Sequence, residues 1–98
     1  MTRQVSLSVN DVPIALDYFV QGFIDHVVSG ILASLKGTGE MEALDLSIEG
    51  DEVTIDLNDA RVPLNPFVTE ITKNIIVGMV SPLKGVSEVK TLKLTVTR

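Results

Sequence analysis

Residues 5–16, VSLSVNDVPIAL, and residues 53–64, VTIDLNDARVPL, carry one pattern twice. In each, apolar residues alternate with polar ones (Val5, Leu7, Val9; Val53, Ile55, Leu57) up to an Asn-Asp pair, after which a shorter alternation leads to Leu16 or Leu64. Period-2 alternation is the mark of a strand with one buried face. Asn and Asp tolerate the positive φ that a two-residue hairpin turn requires. The pattern therefore predicts a hairpin in each segment, with Val9 opposite Val12, Leu7 opposite Ile14 and Val5 opposite Leu16.

The match extends outward at a constant shift of 48 positions without a gap. Over 5–50 and 53–98 thirteen pairs are identical, among them Asn10/Asn58, Phe19/Phe67, Gly30/Gly78, Leu35-Lys36-Gly37/Leu83-Lys84-Gly85 and Leu46/Leu94. Register of that length predicts an internal duplication. Ninety-eight residues support one compact core and not two, so the copies are expected to form a single domain over 1–98.

Helices follow the hairpins. Asn65 with Pro66 reads as N-cap and first helical residue, and Asp17 is the matching cap in the first copy. Leu35-Lys36-Gly37 and Leu83-Lys84-Gly85 carry the glycine and lysine suited to helix C-termini, while Ser81-Pro82 predicts an earlier end to the second helix. The apolar stripe from Phe19 to Leu35 is wider than a sheet alone requires, so each helix is expected to touch a sheet and its partner helix. Gly22, His26, Gly30 and Ser34 form a strip of mostly small residues, which predicts a close helix crossing at Gly30 and Gly78.

Alternating strands at Leu44/Leu46/Ile48 and Leu92/Leu94/Val96 close the copies. Gly50-Asp51 then makes a hairpin that sets Ile48 opposite Val53, Leu46 opposite Ile55 and Leu44 opposite Leu57. By the repeat, Leu92–Val96 should pair with Val5–Val9, inside the chain or by exchange with a neighbouring copy. The expected fold is α+β: ββαβ-ββαβ, a mostly antiparallel sheet of up to six strands with two helices on one face and a pseudo-twofold axis. The nearest familiar architecture is similar to a ferredoxin-like βαββαβ arrangement, should the short strands at 12–16 and 61–64 be mere extensions.

Composition narrows the chemistry. Without cysteine there is no disulfide or thiol chemistry, and a single histidine rules out a histidine-rich metal site within one chain. A net charge of −5 and a pI near 4.6 do not suit a phosphate backbone or an anionic membrane, so no nucleic acid and no membrane is expected. The acidic central segment lacks the spacing of a calcium loop, and Lys36-Gly37-Thr38-Gly39 follows a helix where a phosphate loop would precede one; neither metal nor cofactor is expected. No apolar run spans a membrane and no leader is evident, which points to a cytoplasmic protein. Hydrophobic residues make up 45% of the chain and the mean hydropathy is +0.34, high enough in so small a domain to predict a homo-oligomer, most simply a dimer.

Candidate sites lie where the copies disagree. Tyr18, Asp25 and His26 have Pro66, Lys73 and Asn74 as counterparts. A histidine near a carboxylate is the raw material of acid–base catalysis, but neighbours on a helix point about 100° apart, so Asp25 cannot hold His26 and no catalytic residue is assigned. Sign inversions of Glu42 against Lys90 and Asp45 against Lys93 make these four candidate interface residues, the acidic hairpin of one molecule meeting the basic hairpin of another. Phe19, Phe23, Ile31, Phe67, Ile71 and Met79, with Tyr18, Asp25 and His26, could instead line a site for an apolar small molecule or lipid between the helices. A non-enzymatic binding or assembly module is the expectation, with apolar-ligand binding and an enzyme using His26 as alternatives.

Overall fold

The alternation of the sequence is realised as an antiparallel sheet. The computed structural model describes residues 4–35, 41–86 and 88–98. In chain order the elements are β1 (Gln4–Val9), β2 (Val12–Ile14), α1 (Tyr18–Ala33), β3 (Ala43–Glu49), β4 (Glu52–Leu57), β5 (Ala60–Arg61), α2 (Pro66–Val80) and β6 (Thr91–Thr97). They form one six-stranded antiparallel sheet in the order β2-β1-β6-β3-β4-β5.

Registers follow the sequence closely. Ile48, Leu46 and Leu44 face Val53, Ile55 and Leu57 across the Gly50-Asp51 turn, where Gly50 takes φ +60°. β6 pairs with β1 within the chain, Val96 against Val5 and Leu92 against Val9. At the centre β3 meets β6, with Leu46 opposite Leu94. The Asn-Asp pairs hold φ between 50° and 67°, the two consecutive left-handed residues of a tight hairpin. Val9 faces Val12 and Leu7 faces Ile14, but pairing stops there and does not reach Val5–Leu16, because the chain leaves the sheet for the helix cap at Asp17. β5 is shorter still, although the Val62 N–H also donates to the Ile55 carbonyl at 2.8 Å. β2 and β5 reverse direction and pair as separate edge strands, so the condition for a ferredoxin-like βαββαβ reading, that they merely extend β1 and β4, is not met.

The same asparagines fasten the two halves together. Asn58 Oδ1 accepts from the backbone N–H of Glu42 and Ala43, each at 2.9 Å, and Asn10 Oδ1 accepts from Lys90 and Thr91 at 2.8 and 3.0 Å. Asn10 Nδ2 adds a bond to the Glu88 carbonyl. Each turn thus clamps the start of a central strand that belongs to the other half.

Both helices start where their caps predict. Asp17 accepts from Val20 N–H and Asn65 from Val68 N–H, both at 2.8 Å. α2 stops at Val80, ahead of Pro82, and Gly85 takes φ +91° in the loop that follows. α1 ends at Ala33 with Ser34 as its cap, and the Lys36-Gly37 terminus lies outside the described residues.

The helices cover one face. Ile24, Val28 and Leu32 of α1 and Ile76 and Val80 of α2 pack with the inward residues of β1, β3, β4 and β6 into one aliphatic core, while Ser6, Asp45, Ser47, Thr54, Lys93 and Thr95 point the other way. The two layers make a slab 18 Å thick. The expected close crossing is not formed: a Cβ added at Gly30 or Gly78 would meet no atom within 4 Å. A groove lined by Val27, Ile31, Phe67, Ile71 and Ile75 runs between the helices instead.

The turn chemistry gives an ordered prediction. Asn58→Gly keeps the left-handed backbone but loses the clamp, and should lower urea-unfolding stability by about 1–3 kcal/mol. Asn58→Ala loses both and should cost about 1–2 kcal/mol more. Equal stability of the two variants would show that the backbone conformation contributes nothing.

Candidate functional site

The apolar residues that the core does not use collect on the outer side of the helix layer. All four aromatic residues of the chain are there: Tyr18, Phe19, Phe23 and Phe67 are 50–86% exposed, and the core contains none. The reason is geometric. Helical positions that share the buried stripe recur every three or four residues, and Ile24, Val28 and Leu32 occupy it, which turns 19, 23 and 27 away from the sheet. Phe67, Ile71 and Ile75 repeat this offset on α2.

Two shallow concavities mark this surface. The first, about 580 Å³, lies along α1 and is lined by Tyr18, Phe19, Gly22, Phe23, His26 and Val27. Phe19 and Phe23 pack ring to ring there, centroids 6.0 Å apart. The second, about 500 Å³, is the groove between the helices, with Val27, Ile31 and Leu35 on one wall and Phe67, Ile71 and Ile75 on the other. Val27 belongs to both, so the concavities adjoin.

Of the residues singled out from sequence, the structure brings together Tyr18, Phe19, Phe23 and His26, and sets Phe67 in the adjoining groove. Met79 is drawn inward against the core instead. Asp25 is buried while His26, its neighbour, is exposed; the His26 Nδ1–H donates to the Gly22 carbonyl at 2.7 Å.

Asp25 has a structural task. Its carboxylate accepts from Arg98 at 2.5 Å and from Ser29 at 3.3 Å, tying the end of β6 to α1. The equivalent position on α2, Lys73, carries the opposite charge and donates to Asp51 in the β3–β4 turn at 2.7 Å. Both helices are therefore tied to a strand end, with charges reversed. The hydrogen bond from Lys73, and then its charge, hold the Asp51 carboxyl below its ordinary value.

The sign-inverted residues Glu42, Asp45, Lys90 and Lys93 do not form two separate surfaces. β6 lies beside β3, so Asp45 sits opposite Thr95, whose hydroxyl it accepts at 3.2 Å, and Lys93 sits opposite Ser47. The acidic and basic strands are neighbours within one molecule. Glu42 and Lys90 precede β3 and β6 and so stand at opposite ends of the central pair.

Sequence reasoning missed Thr72. Its side chain is fully buried beneath the interhelical groove, and its hydroxyl has no hydrogen-bond partner among the described residues. The signal was present: Thr72 aligns with Ile24, a polar residue where the other half has a core aliphatic.

Among the described residues no three His, Cys, Asp or Glu side chains cluster as metal ligands would, and no helix is long and apolar enough to cross a membrane. No protein-family model, curated protein or solved structure matches the chain.

The ion pair predicts a titration. The Asp51 carboxylate should titrate below its ordinary value of 3.8 by NMR, and Lys73→Met should return it toward that value. A lowered carboxylate stabilises the fold above its unfolded value, and that contribution disappears as pH falls through the lowered one. An unchanged Asp51 midpoint in the variant would remove the role given to Lys73.

Proposed function

We propose that this chain is a non-enzymatic assembly module that acts as a homodimer through the outer side of its helix layer. The observation that carries this reading is the exposure of every aromatic residue on that one side. At the exposures above, four rings leave on the order of 500 Å² of apolar surface in water. That alone rivals the largest patch of a typical monomer, about 300–600 Å², and the aliphatic residues beside it bring the surface toward the roughly 800 Å² that each partner of a stable complex buries.

Charge and edges support the same choice of surface. α1 carries no Lys, Arg or Glu, and its one aspartate is buried. The opposite face of the sheet is lined by Ser, Thr and charged residues, and its edge strands are three and two residues long with Pro13 in one, a poor template for strand addition. Burial of apolar area between copies therefore favours the helix layer. An isologous contact would place the helices of two copies together between two outer sheets.

The same reading takes residues 5–50 and 53–98 as duplicated copies related by a pseudo-twofold axis between Leu46 and Leu94. It is supported by the register of β3 with β4, which β6 and β1 repeat at a shift of 48.

Light scattering coupled to size exclusion at tens of micromolar should give twice the 10.6 kDa chain mass. Phe19→Asp with Phe67→Asp should yield a folded monomer with unchanged far-UV circular dichroism, since both rings are largely exposed, and a dissociation constant raised about 30-fold or more. A wild-type monomer at that concentration contradicts the proposal.

A further inference from the structure

The surface given to the dimer contains one side chain of a kind that changes charge near neutral pH. Imidazole is the side-chain group whose charge ordinarily changes between pH 5 and 8, and His26 is the chain's one histidine. Its ring is exposed on α1, in the concavity that it lines with Tyr18, Phe19, Gly22, Phe23 and Val27. A contact that covers the two phenylalanine rings therefore covers His26 as well. The Nδ1–H bond to the Gly22 carbonyl can be made by the neutral and by the charged ring, so it holds the imidazole on this surface in both states.

The charged groups of the elements around α1 do not line that concavity. β1, which packs beneath α1, has no charged residue, and the central strands present aliphatic side chains to the helices. The end of β6 brings Arg98 to α1, where it is bound to Asp25 and Ser29. The Asp17 carboxylate is held by the Val20 N–H, more than two helical turns before His26. On α2, Lys73 reaches Asp51 in the β3–β4 turn, Glu70 is exposed, and the groove between the helices has no charged lining. A neutral imidazole can be covered at small cost in such surroundings, whereas an imidazolium would lose its water without gaining a carboxylate.

We infer that protonation of His26 opens the dimer: the contact forms with both imidazoles neutral at pH 8 and weakens as the pH falls to 5.5. This rests on the dimer proposed above and adds its regulation. Asn74 stands at the equivalent place on α2, 48 positions on, and takes up no proton. The response to pH therefore belongs to α1 alone.

Sedimentation equilibrium of the full-length wild type and of His26→Asn, at pH 8 and pH 5.5 and fixed ionic strength, tests the inference. The wild-type dissociation constant should rise about 10-fold or more at pH 5.5, because two protons, one for each copy, oppose association. Far-UV circular dichroism should not change. His26→Asn puts on α1 the residue that α2 already carries, and its dissociation constant should be the same at both pH values. A wild-type constant that stays the same overturns the inference and leaves the dimer. A constant that falls at pH 5.5 does so too, since Glu70 or the rings of the second copy would then hold the imidazolium. An equal rise in His26→Asn overturns it by assigning the effect to another group. A wild-type monomer at pH 8 overturns the dimer and the inference together.

Discussion

The structure depends on the pairing of β3 with β6. These strands are the third of each half, and they meet antiparallel with Leu46 opposite Leu94, both almost completely buried. Every other element is placed relative to that pair. β4 and β1 flank it, the edge strands hang from those, and α1 and α2 lie over the aliphatic face that Leu44, Leu46, Ile48, Leu92, Leu94 and Val96 present. Neither half could form this core alone, because each supplies only one side of the central ladder. The asparagine clamps reinforce the dependence, since Asn10 holds the start of β6 and Asn58 the start of β3. Folding of the halves is in this sense a single event, as expected of a domain this small.

An all-aliphatic core has a consequence for the surface. The strand leucines, isoleucines and valines, with Ile24, Val28, Leu32, Ile76 and Val80 from the helices, complete the interior without any aromatic ring. The aromatic residues are then surplus to folding, and they stand where water meets the helix layer. Aromatic side chains are the residues most enriched at the energetic centres of protein contacts, and their segregation here is the ground on which association is proposed.

Much of this was legible in the sequence, because period-2 alternation, Asx turns and helix caps are local signals. The Asn10-Asp11 and Asn58-Asp59 turns, the Gly50 hairpin, the caps at Asp17 and Asn65 and the β6–β1 register are all written in residues within a few positions of one another or of their equivalents. What was not legible depends on distance in three dimensions. The strip through Gly30 suggested a close helix crossing, but the helices leave a groove lined by Val27 and Ile75, and a strip of glycines does not show which side chains point between the helices. Asp25 looked like a candidate for a site because its counterpart is Lys73; only the folded chain shows that Arg98 and Asp51 are the partners, 73 and 22 residues away. The charge reversal of Asp45 and Lys93 suggested two surfaces, and the central pairing places them on one. The aromatic candidates fared differently: Tyr18, Phe19, Phe23 and His26 do gather, because they share one side of a single helix.

The proposed function depends on what covers the outer side of the helices. Isotope-filtered NMR on a mixture of labelled and unlabelled protein separates contacts between molecules from contacts within one. The account predicts intermolecular NOEs from the ring protons of Phe19, Phe23 and Phe67 to helix residues of the second copy. Intermolecular NOEs confined to the edge strands or to the Ser- and Thr-lined face of the sheet would contradict it.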